Sequence, residues 1–353
     1  MAGYNLWYRI IRVYTKVGLF FYYRSVKVYG RENIPEDKPV LFIANHRNGL
    51  IDPILIATTA DNIQHFLTRA SAFKHPVANM LLRSINMMPI YRIRDGIGTL
   101  TNNQEIFKNC YAVFDNQEAV VMFPEASHEL PRRLRPLRKG FARISFEYTA
   151  LNPDNDLFIL PVGINYENAL KPWTKVAVYY GKPIKVTDYY NSKDINTAYK
   201  TLLKKATEEL KTLSVHIADK ERITAIENQL KAEGYDFTNP VQVNERIKTI
   251  QSNPPETTSS PVSVRNNLLM RLLYLIFMVN AVLPLLIWRS IKKRVKDPII
   301  LNTFRFGLGL GLFTFFYLLQ TTLIVVFAGF KIGIAYLVLT LLVNALVVKN
   351  YIL

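Results

Sequence analysis

The sequence predicts an α/β fold: a mixed, largely parallel sheet flanked by helices, with an N-terminal interfacial helix and a C-terminal helical membrane region. Three observations carry this expectation. Between residues 31 and 190, apolar runs of strand length alternate with helix-length patterns, the rhythm of a parallel sheet with crossover helices. Beyond residue 266 the chain turns markedly apolar, in segments long enough for a bilayer. The first thirty residues interleave aromatic and basic side chains at helical spacing, as in a helix that lies in a lipid interface.

In residues 1–30, Arg9, Arg12, Lys16 and Arg24 punctuate Trp7, Ile10, Ile11, Tyr14, Val17, Phe20 and Phe21. There is no clean apolar core or small-residue cleavage site of a secretory signal. An amphipathic interfacial helix is expected here, the alternative being a helix packed on the domain. Within the α/β domain, 31–190, "PVLFIA" (39–44), "IQHFLTR" (63–69), "NMMPIYR" (86–92), "EAVVMFP" (118–124), "DLFILPVGINY" (156–166) and "KVAVYYG" (175–181) are the expected strands. "PILIATTA", "FKHPVANMLLRSI", 99–116 and "LRKGFARISFEYTAL" are the expected helices between them. Loops at the strand ends are the natural place for a site. Residues 191–250 form a polar helical segment whose Lys/Glu content suggests solvated faces. "QSNPPETTSSPVSV" (251–264) is a linker and the clearest boundary.

Residues 265–353 are the expected membrane region. The stretches 306–327 and 332–348, separated only by "AGFK", suggest a transmembrane hairpin. The stretch 268–288 is harder to orient. "RSIKKRVK" (289–296) after it has five basic residues and belongs on the cytoplasmic side. The basic α/β domain before it is also expected there, so 268–288 is expected to re-enter or lie in the interface, bent at Pro284.

The net charge of +17 calls for an anionic partner. The apolar segments favour membrane lipids over nucleic acid, for which no binding module is visible. One cysteine, Cys110, excludes an internal disulfide, and no Cys/His cluster has metal-ligand spacing. Cys110 sits among Phe107, Tyr111 and Phe114, as a buried packing residue would. A catalytic domain facing the cytoplasm fits this composition.

The chemistry centres on "FIANHRNGLIDP" (42–53). His46 follows the first expected strand, and Asp52 precedes Pro53, which suits a first helical turn. Neutral histidine is the natural general base near pH 7, and a carboxylate bonded to one ring nitrogen fixes its tautomer. Six positions apart on a continuous helix, the two side chains would diverge by about 120°. They meet only across an irregular turn, for which Asn48-Gly49 is well suited. Asp52 as a plain helix cap is the structural alternative.

Together with three later stretches, this one resembles the glycerol-3-phosphate and lysophosphatidate acyltransferase superfamily. The family's first block is Asn-His, four residues, then Asp; Asn45, His46 and Asp52 match with one extra residue. "MMPIYR" ends at Arg92 as the second block does. "FPEASHELP" matches the Phe-Pro-Glu-Gly block at Phe123, Pro124 and Glu125, with Ala126 in place of the glycine. "LPVGINY" matches the fourth at Leu160, Pro161 and Val162. The likeness covers roughly residues 30–190, with a looser one in "VKDPIILNTFRFGLGLGLF".

The resemblance implies a membrane-bound O-acyltransferase of phospholipid biosynthesis that needs no cofactor. It would move a fatty acyl group from acyl-CoA or acyl carrier protein to the hydroxyl of glycerol-3-phosphate or a lysophospholipid. His46 and Asp52 would be catalytic. Arg92, Glu125, Asn45, Ser127 and His128 would bind substrate, Arg92 holding a phosphate, and backbone amides near Asn48–Gly49 would stabilise the oxyanion. Three alternatives stay open: a phosphate-free lysolipid acceptor, a catalytically silent membrane-anchored lipid-binding protein, and plain roles for the two charged residues, Arg92 on the surface and Glu125 as a structural ion-pair partner. The run Arg132, Arg133, Arg135, Arg138 and Lys139 is either a steering patch for anions or a solvated face; His65 and His75 are expected to be structural.

Overall fold

The computed structural model describes residues 2–91, 103–252 and 267–351. Helix α1 (Ala2–Tyr22) leads into β1 (Ser25–Tyr29). The helix expected over residues 1–30 is therefore shorter: the alternating Val26-Lys27-Val28 run pairs in parallel with a later strand instead. There follow β2 (Val40–Ala44), α2 (Ile51–Thr59), β3 (Gln64–Arg69), α3 (Pro76–Ser84), β4 (Met87–Ile90), α4 (Asn103–Asp115), β5 (Ala119–Met122), α5 (Gly140–Leu151), β6 (Phe158–Tyr166), β7 (Lys175–Tyr180) and β8 (Ile184–Lys185). The sheet order is β1-β7-β6-β2-β5-β3-β4, with β8 beside β6. All pairings are parallel except those of β6 with β7 and β8. The mixed, largely parallel sheet expected from the sequence is thus the one observed.

Alternation along the strands divides the core. Leu41, Ile43 and Val120 face α4 and α5, whereas Val40, Phe42, Ala44 and Val121 face α2 and the end of α1. Helix α6 (Ile195–Leu213) joins the first layer through Ala198, Leu202, Ala206 and Leu210, so its polar composition conceals one buried stripe. It also lies against β6 so closely that a Cβ on Gly163 would stand 2.0 Å from the Leu213 carbonyl oxygen. Helices α7 (Ile223–Ala232) and α8 (Pro240–Ser252) have a small core of their own, built on Ile217, Ile226, Leu230 and Ile247. The linker expected over 251–264 lies almost wholly outside the described residues.

α9 (Leu268–Asn280) and α10 (Val282–Lys292) meet at 79°. The break falls at Ala281, ahead of the Pro284 expected to make it. Proline has no N–H to donate and its ring clashes with the carbonyl four residues back, so the preceding turn yields. α11 (Pro298–Ala328) and α12 (Phe330–Asn350) are long and apolar enough to cross a membrane, and Gly329 alone joins them. At 31 residues α11 is about 46 Å long, well beyond a ~30 Å hydrocarbon core. Its first turns pack on the α/β domain through Ile299, Asn302 and Phe306. α1 runs between these parts. Tyr8, Leu19 and Tyr22 are buried, while Leu6, Trp7, Ile10, Val13, Val17 and Phe20 stay exposed on the other side. Tyr14 bonds Leu310 and Thr314 of α11, and the Lys349 ammonium caps the end of α1 at the carbonyls of Phe20 and Tyr23.

Candidate active site

β2, β3, β5 and β6 run parallel, so their C-terminal ends share one edge of the sheet. His46 follows β2, Glu125 follows β5, Arg69 ends β3 and Tyr166 ends β6. Side chains scattered over more than a hundred positions converge there, in the crevice that open α/β sheets present to ligands.

His46 Nδ1 lies 2.8 Å from Asp52 Oδ2. The spacing is solved by a turn that wraps the carboxylate. The backbone N–H groups of Arg47 and Asn48 donate to the same oxygen at 2.8 and 2.7 Å, and α2 begins just before Asp52. The Tyr166 hydroxyl donates to Oδ1. Asp52 is 0% exposed, so its charge is balanced by these donors rather than by water. Burial, then the adjacent Asp52 charge, pushes the Tyr166 phenol far above its ordinary range and keeps it a donor. With Nδ1 donating to a carboxylate, Nε2 of His46 holds the free lone pair. The ring stacks on Phe123 at 4.1 Å and is only partly buried.

Glu125 sits beneath this turn. Oε1 accepts the His46 N–H at 2.9 Å, and Oε2 accepts from the backbone and side chain of Arg135 at 3.0 and 3.1 Å. Its carboxylate braces the histidine backbone. Of the backbone amides near Asn48–Gly49 expected to serve an oxyanion, that of Asn48 is committed to Asp52, together with its neighbour Arg47. Asn45 spends both ends of its amide on the backbone of Ile164, extending the β2–β6 ladder by one rung. Ser127 accepts from Arg135 through both hydroxyl and carbonyl. His128 does face the site, 5.5 Å from the His46 ring. Burial, then the positive potential of His46, lowers its pKa and favours the neutral ring. Arg92 lies outside the described residues.

The basic run is neither wholly a steering patch nor a solvated face. Arg133, Arg138 and Lys139 are exposed, Arg135 turns in to Glu125, and Arg132 is buried. Arg132 donates to the carbonyls of Tyr166 and Glu167, stacks over Phe237 at 3.8 Å and faces Glu227 of α7 at 3.7 Å. Burial lowers its pKa to about 9. His65 pairs with Glu118, and burial pushes the Cys110 thiol up to about 12, in keeping with packing roles for both.

Sequence reasoning missed Tyr166, Arg47, Arg69 and the end of α11. Tyr166 was the most accessible of these, as the last residue of a strand parallel to β2. Asp297, the N-cap of α11, and Arg69 are near enough to act electrostatically on His128, and Ile299 would approach a Cβ on Gly49 to 3.9 Å. Among the described residues no group of three or more His, Cys, Asp or Glu side chains is arranged to hold a metal ion.

Residues 25–165 match a family model described as Acyltransferase. The chain is 22% identical over 132 residues to the chloroplastic 1-acyl-sn-glycerol-3-phosphate acyltransferase BAT2 of Brassica napus, covering 37% of this chain and 36% of that protein. It is 27% identical over 130 residues to glycerol-3-phosphate O-acyltransferase 2 of Saccharomyces cerevisiae, covering 36% of this chain and 17% of the yeast protein. The matched stretch thus spans well under half the length of either relative. The crystal structure of the 1-acyl-sn-glycerophosphate acyltransferase PlsC from Thermotoga maritima aligns with a TM-score of 0.42 at 22% identity, covering 58% of this chain and 79% of that one.

Proposed function

We propose, from the premise that residues 25–165 are an acyltransferase domain of the glycerolipid acyltransferase superfamily, that this chain transfers a fatty acyl group from a thioester to a glycerophosphate-type hydroxyl. The acceptor would be glycerol-3-phosphate or a lysophospholipid, and the donor acyl-CoA or acyl carrier protein. The observation that carries this is the buried Asp52 carboxylate 2.8 Å from His46 Nδ1, which leaves Nε2 as the base. Nε2 takes the proton of the acceptor hydroxyl as its oxygen attacks the thioester carbonyl. The negative Asp52 stabilises the imidazolium that forms. Collapse of the tetrahedral intermediate breaks the C–S bond, and the imidazolium returns its proton to the departing thiolate. Glu125 and Asn45 position this machinery through backbone contacts, His128 lines the substrate side, and Arg92 holds the acceptor phosphate with its planar fork.

Two long apolar helices and the exposed apolar side of α1 support a membrane-bound enzyme. In it a soluble donor and a lipid acceptor meet at the interface. The bent α9–α10 pair supports a re-entrant segment, which leaves the catalytic domain and the basic 289–296 run together on the cytoplasmic face. Cysteines introduced at the exposed positions Thr249 and Lys292 should then be labelled from the same side; labelling from opposite sides rejects this topology. The function is tested by thioester turnover with Arg92→Ala: a KM for glycerol-3-phosphate raised tenfold or more supports the phosphate role, and an unchanged KM points to a phosphate-free acceptor.

A further inference from the structure

The His46–Asp52 turn has a second support, which comes from the membrane region. Asn302 lies in the second turn of α11 and is 1% exposed. Its Nδ2 donates to the Ala169 carbonyl at 3.0 Å, and its Oδ1 accepts from the Tyr22 hydroxyl at 2.6 Å. The same Ala169 carbonyl accepts from Asn48 Nδ2 at 2.9 Å. Asn48 is likewise 1% exposed, and its backbone N–H is one of the donors that fix Asp52. An unbroken line of buried hydrogen bonds therefore runs from α1 and α11, through one carbonyl, to the carboxylate that orients His46. Arg305 adds a parallel bond to the next carbonyl, Leu170, at 2.7 Å.

We propose that Asn302 is a positioning residue for the proposed reaction: the first turns of α11 hold the 168–171 loop, and that loop holds the Asn48 rung of the Asp52 turn. This rests on the acyl-transfer reading of His46 and Asp52 but extends it beyond residues 25–165, to a helix outside the matched domain. Two physical points support it. A carbonyl with two lone pairs is satisfied here by two side-chain donors, so removing one leaves the other without the geometry both impose. Buried polar networks behave as units, and the whole line is screened from water. Seating α11 in its membrane would thereby complete the site, and catalysis would depend on an intact anchor even though no part of α11 beyond its first turns approaches His46.

The test uses the full chain in lipid nanodiscs. Asn302→Leu removes both bonds at similar side-chain volume, and Tyr22→Phe removes only the bond to Oδ1. The first readout needs no turnover: the His46 ring N–H proton resonance in histidine-labelled protein, assigned with His46→Gln. The second is kcat and KM of thioester turnover. In Asn302→Leu the resonance is expected to shift or broaden beyond detection. The kcat should fall at least tenfold while KM for the thioester stays within twofold; Tyr22→Phe should lose less than threefold. A wild-type resonance in Asn302→Leu overturns the proposal, including where only thermal stability falls. Absence of acyl transfer by the wild type would reject the functional reading while the resonance still decides this one. Should Asn302→Leu fail to fold, the isosteric Asn302→Asp sets a carboxylate against the Ala169 carbonyl and carries the same expectation.

Discussion

Replacing Asp52 with asparagine removes one charge and almost nothing else. Oδ2 accepts from His46 Nδ1, Arg47 N and Asn48 N, and Oδ1 accepts from the Tyr166 hydroxyl. An asparagine oriented with its oxygen toward the first three keeps those bonds, and the Tyr166 hydroxyl can rotate to accept from the new amide. The turn should therefore survive. What disappears is the interaction between a buried carboxylate and the imidazolium that would form, in the proposed reaction, as His46 takes its proton. Contact at 2.8 Å places the centre of the ring charge about 4 Å from the carboxylate, where Coulomb energy at an effective dielectric of ~20 is about 4 kcal/mol. At 1.36 kcal/mol per decade, kcat should fall by roughly 10³. The assay is chromogenic detection of released thiol by nanodisc-embedded protein at saturating donor, with thermal unfolding as the folding control. A kcat within threefold of wild type, in a protein of unchanged stability, would refute charge stabilisation by Asp52. Tyr166→Phe, which leaves the charge in place, should cost far less; equal losses would mean that Asp52 acts through geometry alone.

Glu125→Gln must set an amide N–H against either the His46 N–H or the Arg135 donors; losing a bond worth about 1.5–3 kcal/mol should lower kcat roughly 10- to 100-fold, read in the same assay. His216 accepts the Leu134 N–H on Nδ1, and burial, then Lys211 and Arg133, lowers its pKa from 6.5 to about 4. The unfolded chain then binds a proton that the folded one refuses, so stability should fall as pH drops from 6.5 towards 4. Unfolding measured across that window should be flatter in His216→Gln. Gly163→Ala drives a Cβ into the Leu213 carbonyl and should destabilise by roughly 1–3 kcal/mol, measured by thermal unfolding.

Much of the sheet was legible because each central strand is a short apolar run bounded by helix-length amphipathic pattern. β1 was not, since its five residues continue the aromatic-basic texture of α1 and only pairing with β7 distinguishes them. The His46–Asp52 pair was legible from residue type and the four-block likeness, and the turn between them delivers two amides to the carboxylate. Glu125, Asn45 and Ser127 were found as site candidates, but their partners here, Arg135 and the backbone of His46 and Ile164, were not specified. A sequence shows which residues gather at an edge, not whether a side chain faces ligand or backbone. Ala126 illustrates the point: at φ 62° it holds in alanine a left-handed conformation that glycine adopts at no steric cost. Asn302 and Asp297 lie in the stretch whose looser likeness the sequence showed, but nothing local in it announces that the first turns of α11 abut a site more than two hundred residues earlier.

Product analysis decides whether His46, oriented by Asp52, moves an acyl group from a thioester to a glycerophosphate-type hydroxyl. Nanodisc-embedded wild type and His46→Ala are incubated with a radiolabelled fatty acyl thioester and either glycerol-3-phosphate or lysophosphatidate, and the lipids are separated. Wild type should yield a labelled acylglycerolipid with at least one acceptor, and His46→Ala should lose it by three orders of magnitude or more. Equal labelled product from the two proteins, or none from wild type with any donor and acceptor, would contradict this reading.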